Sequence, residues 1–232
     1  MIVKTTLLCG IASLVALVPP AQAALIYDFQ LNDSYVSSVG ADIIGNAGGS
    51  LGATGYTFDA NQGLSIALSG PLSVYTIKTA FHFDTVTSYR KIVDFKNRAS
   101  DDGFYAMNGT FSFFPLKESL VSFAPGEDIV ATISRDAAGT VSTTLNGVPI
   151  WTFADVDGRA IFDSGFIHLF MDDTQRPGEA SAGFVDYVQV YDTATITAPV
   201  PEPATWAMMI AGFAMLGGAM RRRPRSAKIA FA

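Results

Sequence analysis

The sequence is poor in the residues from which reactive centres are usually built. Its 232 residues include one cysteine, two histidines and two tryptophans, and only 16% are charged. The single cysteine, Cys9, lies in the N-terminal apolar stretch and ahead of most of it, so it is not placed as a lipoprotein cysteine. Once that stretch is removed no cysteine remains, which excludes disulfides, thiol catalysis and zinc–cysteine sites. A domain without disulfides must then rest on packing or on bound ions. The chain has four glutamates, so paired-glutamate chemistry has few places to reside. His82 and His168 each sit in an apolar run beside phenylalanine or leucine, which reads as a satisfied, partly buried imidazole. No recognisable Gly-x-Ser-x-Gly elbow supports a Ser-His-Asp set.

What the chain does have is a pair of specialised ends. At the N-terminus, Lys4 supplies a positive region, Leu7 to Val18 an apolar region, and Ala21-Gln22-Ala23 a small-x-small site. Together they describe a secretory signal peptide over residues 1–23, cleaved after Ala23. The C-terminus runs Pro201-Glu202-Pro203-Ala204-Thr205-Trp206-Ala207, then an apolar stretch to Met220, then Arg221-Arg222-Arg223. The prolines hold the start extended. Residues 204–220 carry no charge and as a helix would extend roughly 25 Å, slightly short for a hydrocarbon core of about 30 Å. Gly212, Gly217 and Gly218 weaken that helix, and the basic tail, residues 221–232, stays cytoplasmic by the positive-inside rule. The rest of the chain then lies on the other side of the membrane.

Pro-Glu-Pro-x-x-Trp-Ala, a glycine-containing apolar helix and an arginine cluster resemble the PEP-CTERM sorting signal in its PEPxxWA variant. The resemblance implies recognition of Pro201, Glu202, Pro203, Trp206 and Arg221, Arg222 and Arg223 by an exosortase-type membrane protease, with removal of the helix. It also implies a Gram-negative producer of extracellular polysaccharide. The protein would sit on the periplasmic side of the inner membrane before processing and reach the cell surface or extracellular matrix afterwards. The expected organisation is a signal peptide over 1–23, a body over 24–197 and a sorting segment over 198–232, with its motif at 201–207.

Without the two ends, residues 24–200 hold nine basic and 20 acidic side chains, a net charge of −11. Nucleic acid and anionic lipid are poor partners for such a body, whereas neutral glycans and divalent cations are permitted. Its pattern is strand, turn, strand throughout. Strands are expected at Leu25 to Leu31, Tyr75 to Phe83, Ile129 to Ser134, Thr140 to Leu145, Val148 to Phe153, Phe166 to Met171 and Phe184 to Tyr191. Asn146-Gly147 marks a type I′ hairpin. In the last strand, strict alternation puts Val185, Tyr187, Gln189 and Tyr191 on one face and Phe184, Asp186, Val188 and Val190 on the other. The fold class is all-β, a two-sheet antiparallel jelly-roll sandwich.

Ile129 to Asp136, Gly139-Thr140-Val141, Leu145-Asn146-Gly147 and Gly183 to Tyr191 resemble parts of a concanavalin A-like or laminin G-like domain. That resemblance implies lectins, adhesion modules and glycan hydrolases as alternatives. Hydrolases of this class present Glu-x-Asp-x-x-Glu on a strand, but Gly183 to Tyr191 offers only Asp186, with Gln189 where the last glutamate belongs. No catalytic residue is therefore expected. A calcium site is expected at Asp172, Asp173 and Glu179, in a loop with three carboxylates, with Asp101-Asp102-Gly103 as a poorer candidate. Trp151 reads as core, and Tyr56, Tyr89 and Tyr105 fall near turns. Asn32-Asp33-Ser34 and Asn108-Gly109-Thr110 match glycosylation sequons and are read as chance in a bacterial chain. The expectation is an exported, non-enzymatic module that binds extracellular polysaccharide or serves in structure or adhesion, with a degenerate polysaccharide hydrolase as the alternative.

Overall fold

The computed structural model describes residues 23–175 and 177–194. These form 15 strands and no helix. In chain order they are β1 Leu25–Phe29, β2 Gly45–Asn46, β3 Ser50–Gly52, β4 Gly55–Phe58, β5 Leu64–Ala67, β6 Tyr75–Phe83, β7 Tyr89–Asp94 and β8 Gly103–Met107. There follow β9 Thr110–Phe114, β10 Lys117–Ser122, β11 Ile129–Arg135, β12 Thr140–Leu145, β13 Val148–Ala154, β14 Phe166–Leu169 and β15 Gly183–Tyr191. One sheet has the order β13-β12-β11-β6-β15-β4-β3, with β1 also paired to β15; the other runs β10-β9-β8-β7-β14-β5-β2. All the strand pairs are antiparallel, and the two sheets make a jelly-roll sandwich.

The alternation in β6 shows why the layers form. Ile77, Phe81 and Phe83 are buried in the core, while Lys78, Ala80 and His82 between them face outward and are only partly covered. The opposite layer contributes Phe104 and Ala106 from β8, Phe111 and Phe113 from β9, and Ile167 and Leu169 from β14. Stacked and tilted rings fill the gap, for example Phe58 on Phe170 at 5.0 Å and Phe95 against Phe162 at 4.7 Å.

β15 departs from the expected alternation. Its pairing with β6 shifts between Val185 and Tyr187, so Asp186 is the extra residue of a bulge. Beyond it the faces swap: Val185, Val188 and Val190 are buried, and Phe184, Tyr187, Gln189 and Tyr191 share the outer face. Two turns use the type I′ signal. Asn146-Gly147 joins β12 to β13 with φ of 50° and 80°, and Asn108-Gly109 joins β8 to β9 with the same two values.

Ala21 of the expected signal peptide and the sorting residues Pro201, Glu202, Pro203, Trp206, Arg221, Arg222 and Arg223 lie outside the described residues, as does the apolar stretch 204–220. Among the described residues no helix is long and apolar enough to cross a membrane.

Candidate functional site

The outer face of the first sheet carries a groove of about 320 Å³, lined by Thr54, Ala80, Phe81, Asp128, Phe184 and Asp186. Its parts come from four places in the chain. Register in the sheet sets Phe184 of β15 opposite His82 of β6, and the two rings stack at 5.6 Å and 23°. Asp128, just ahead of β11, binds His82 Nδ1 at 2.7 Å while its own side chain stays 85% exposed. Behind the Phe184 ring lies Gly55, whose φ is 152°. A Cβ there would stand 2.3 Å from Phe184 Cζ, so only glycine lets the ring lie flat on the strand. The bulge then turns Asp186 out beside the ring. The groove thus offers an aromatic platform flanked by two exposed carboxylates, the arrangement suited to a sugar ring with C–H bonds on one face and hydroxyls at the rim.

Further along the same face, Gln189 Nε2 donates to Asp28 Oδ1 at 3.0 Å, and Lys78 lies over the Tyr187 ring at 5.7 Å. Partial burial alone would raise the Asp28 carboxyl, but hydrogen bonds from Ser38, Gln189 and Gln30 outweigh it and hold the group below its ordinary value. Gln189 therefore serves to anchor a carboxylate, and β15 presents no second acid in its place.

A different cluster sits on the second sheet. Tyr105 points away from the core between Phe104 and Ala106, and Lys91, its cross-strand partner, lays its ammonium 4.8 Å from the Tyr105 ring centre. Lys91 Nζ lies 3.2 Å from Asp94 Oδ2 and 3.7 Å from Asp173 Oδ2, and all three side chains are 0% exposed. The loop that bears Asp173 is pinned by its neighbour: Asp172 Oδ2 accepts from Gly178 N and Glu179 N, both at 2.7 Å, and Oδ1 from Asp173 N at 2.8 Å. With three backbone donors on its carboxylate, Asp172 acts as a loop clamp.

The acids that do converge are Asp101, Asp173 and Glu179, each with an oxygen within 4.8 Å of the others. These three could hold a cation, so Asp101, from the poorer sequence candidate, takes the place foreseen for Asp172. Burial pushes the Glu179 carboxyl above its usual range, and Asp172, Asp101 and Asp173 add to the rise against the opposing Lys91.

His168 is spoken for. Its Nδ1 lies 2.8 Å from Ser65 Oγ and its Nε2 2.8 Å from Asn97 Oδ1. Since the amide oxygen can only accept, Nε2 donates and a neutral Nδ1 accepts from the serine. Burial lowers this imidazole, with Arg98 adding to the fall and Asp94 opposing it. The chain does contain Gly-x-Ser-x-Gly spacing at Gly48-Gly49-Ser50-Leu51-Gly52, but Ser50 opens β3, pairs with Thr57, and leads through Gly52 into another strand rather than a helix. It is not a nucleophile elbow. Trp151 packs against the core with its ring edge-on to Phe104 at 6.1 Å. Tyr56 and Tyr105 are buried, and the half-buried Tyr89 contacts Tyr105 edge-on, so these three form no common exposed surface.

Residues 199–223 match the PEP-CTERM protein-sorting motif. A PEP-CTERM signal implies an exported protein handled by an exosortase. Among curated proteins, none matches the chain. Solved structures share the fold. Domain 4 of AbnA, a GH43 extracellular arabinanase from Geobacillus stearothermophilus solved with arabinotriose, gives a TM-score of 0.54 at 15% identity, over 75% of this chain and 95% of that one. Trypanosoma rangeli sialidase with sialic acid gives 0.57 at 12% identity, over 80% of this chain and 32% of that one. The binding domain of botulinum neurotoxin serotype D gives 0.55 at 11% identity, over 73% and 48%. This chain spans about a third of the sialidase and half of the toxin domain. At these identities the likeness is one of fold.

Proposed function

We propose that the protein is a non-catalytic glycan-binding module, exported and sorted through its PEP-CTERM signal, whose ligand is a neutral stretch of the producer's own extracellular polysaccharide. The observation that carries the reading is the groove in which Phe184, backed by Gly55 and stacked on His82, lies between Asp128 and Asp186. An apolar ring can take the C–H face of a pyranose, and carboxylates at the rim can accept its hydroxyl hydrogens. A body with a net charge of −11 repels acidic polymers, which favours neutral sugars.

The groove's position suits a tethered domain. Phe184 stands at the start of β15 and the sorting segment follows its end, about 23 Å away at 3.3 Å per residue. While the tail holds the protein at the inner membrane, the groove would lie at the far end of the strand. In this reading residues 24–197 are the working body, residues 1–23 and the segment after 203 are removed, and the released body acts at the cell surface or in the matrix.

A glycan array and a pull-down on the producer's polysaccharide test the proposal. Retention by wild type and its loss in Phe184→Ala are expected; absence of binding to any neutral glycan would sink it. Turnover of a polysaccharide that disappears in Asp186→Asn would instead establish a hydrolase.

A further inference from the structure

The first residue of the expected mature chain sits against a carboxylate. Ala24 N donates to Asp192 Oδ1 at 3.0 Å, and Asp192 N donates back to Ala24 O at 3.0 Å. From this reciprocal pair the β1–β15 ladder runs inward through Leu25 opposite Tyr191 and Asp28 opposite Gln189 to Phe29 opposite Val188. Ala24 is exposed, and β1 begins at the very next residue. Cleavage after Ala23 would therefore leave no loose residue ahead of the strand.

In the uncleaved chain Ala24 N is a neutral amide. Hydrolysis of the Ala23–Ala24 bond adds water at the Ala23 carbonyl carbon, breaks the C–N bond and frees the nitrogen as an amine, which takes up a proton at neutral pH. The same atom, already at hydrogen-bond distance from Asp192, then carries a positive charge. We propose that signal-peptide removal creates an ion pair between the Ala24 α-ammonium and Asp192, a maturation latch that fastens the first strand of the body to the end of the last.

The latch rests on cleavage after Ala23 and not on glycan binding. Its place gives it meaning. Among the described residues β1 is joined to its sheet through β15, and the chain leaves β15 at Asp192 towards the sorting motif at 199–223. The pair closes the sandwich at the point where the tether pulls. Thr76 of β6 secures the same end from the other side, its Oγ1 donating to Thr193 O at 2.7 Å. The titratable groups on the surrounding elements are Asp186, Tyr187 and Tyr191 on β15 with Asp192 just after it, Tyr27 and Asp28 on β1, and Tyr75, Lys78 and His82 on β6.

The test uses the full chain, expressed in its exporting host, with the processed protein purified as wild type and as Asp192→Asn. Mass spectrometry should find Ala24 as the first residue; any other start overturns the proposal. The α-amine is then selectively acetylated. Acetylation should lower the melting temperature of wild type by about 1–2 °C, the scale of an exposed ion pair in a domain of this size, and leave Asp192→Asn unchanged. NMR of the α-amine should show it titrating above the ordinary value of about 8 in wild type and at that value in Asp192→Asn. Equal effects of acetylation in both proteins, together with equal titration, would overturn the latch.

Discussion

Lys91 carries a fully buried charge. Its ammonium, 0% exposed, serves two carboxylates that are also 0% exposed, Asp94 at 3.2 Å and Asp173 at 3.7 Å, and covers the Tyr105 ring. Lys91→Met keeps most of the side-chain volume over that ring but removes the charge. The backbone donors to the other carboxylate oxygens remain, from Lys96 and Arg98 on Asp94 and from Gln175 on Asp173. What is lost is the cation facing both Oδ2 atoms. Removing one partner of a buried ion pair costs about 3–5 kcal/mol, because the charge left behind has been stripped of water. The cation–π contact, desolvated here, adds about 2 kcal/mol. For a domain of this size about 1 kcal/mol corresponds to roughly 2–4 °C, so the melting temperature should fall by at least about 10 °C. Circular dichroism or calorimetry would read the change. Adding Asp173→Asn to Lys91→Met should recover part of the loss, since the double variant relieves one stranded charge. A single variant within 2 °C of wild type would refute the reasoning.

Other consequences follow from the same chemistry. Glu179 has its carboxyl raised, so its neutral form is favoured in the fold; Glu179→Gln should raise the melting temperature at pH 7, with the gain vanishing below the ordinary glutamate value of about 4.3. Millimolar calcium should stabilise wild type through Asp101, Asp173 and Glu179 and stabilise Glu179→Gln less, while identical melts with calcium and with chelator would end the calcium expectation. His168 is held neutral with its value lowered, so its contribution is present above the unfolded value of about 6.5 and is lost as pH falls through the folded one. Melting curves from pH 7 to 5 should therefore slope less in His168→Gln than in wild type. Mass spectrometry of the exported protein should find residues 204–232 removed; a mature chain that retains them would contradict processing at the sorting motif.

The sequence already shows much of the first sheet. β6 and β12 have the limits their alternation suggests, Tyr75–Phe83 and Thr140–Leu145, and the Asn146-Gly147 turn is where its chemistry requires it. Asn108-Gly109 carries the same hairpin signal between β8 and β9, but there it coincides with a sequon that drew the reading elsewhere. The bulge at Asp186 was beyond alternation, because one extra residue reverses every face after it and nothing local marks the insertion. The groove was beyond it too. Thr54, Asp128 and Phe184 meet only through sheet register, and Gly55 shows its purpose only with the Phe184 ring above it. The acid cluster was half legible: the loop carrying Asp173 and Glu179 stood out, whereas the clamp role of Asp172 depends on backbone amides that become its donors only once the loop closes.

Titration calorimetry of the processed protein with neutral fragments of its producer's polysaccharide reaches the central claim most directly. Wild type should bind saturably. Phe184→Ala should bind at least about tenfold more weakly at a similar melting temperature, since about 1.4 kcal/mol of ring stacking is removed from an outer face rather than from the core. Gly55→Ala, which drives a methyl group into the ring, should weaken binding in the same direction. No heat of binding from wild type, or equal affinity in Phe184→Ala, would contradict the account.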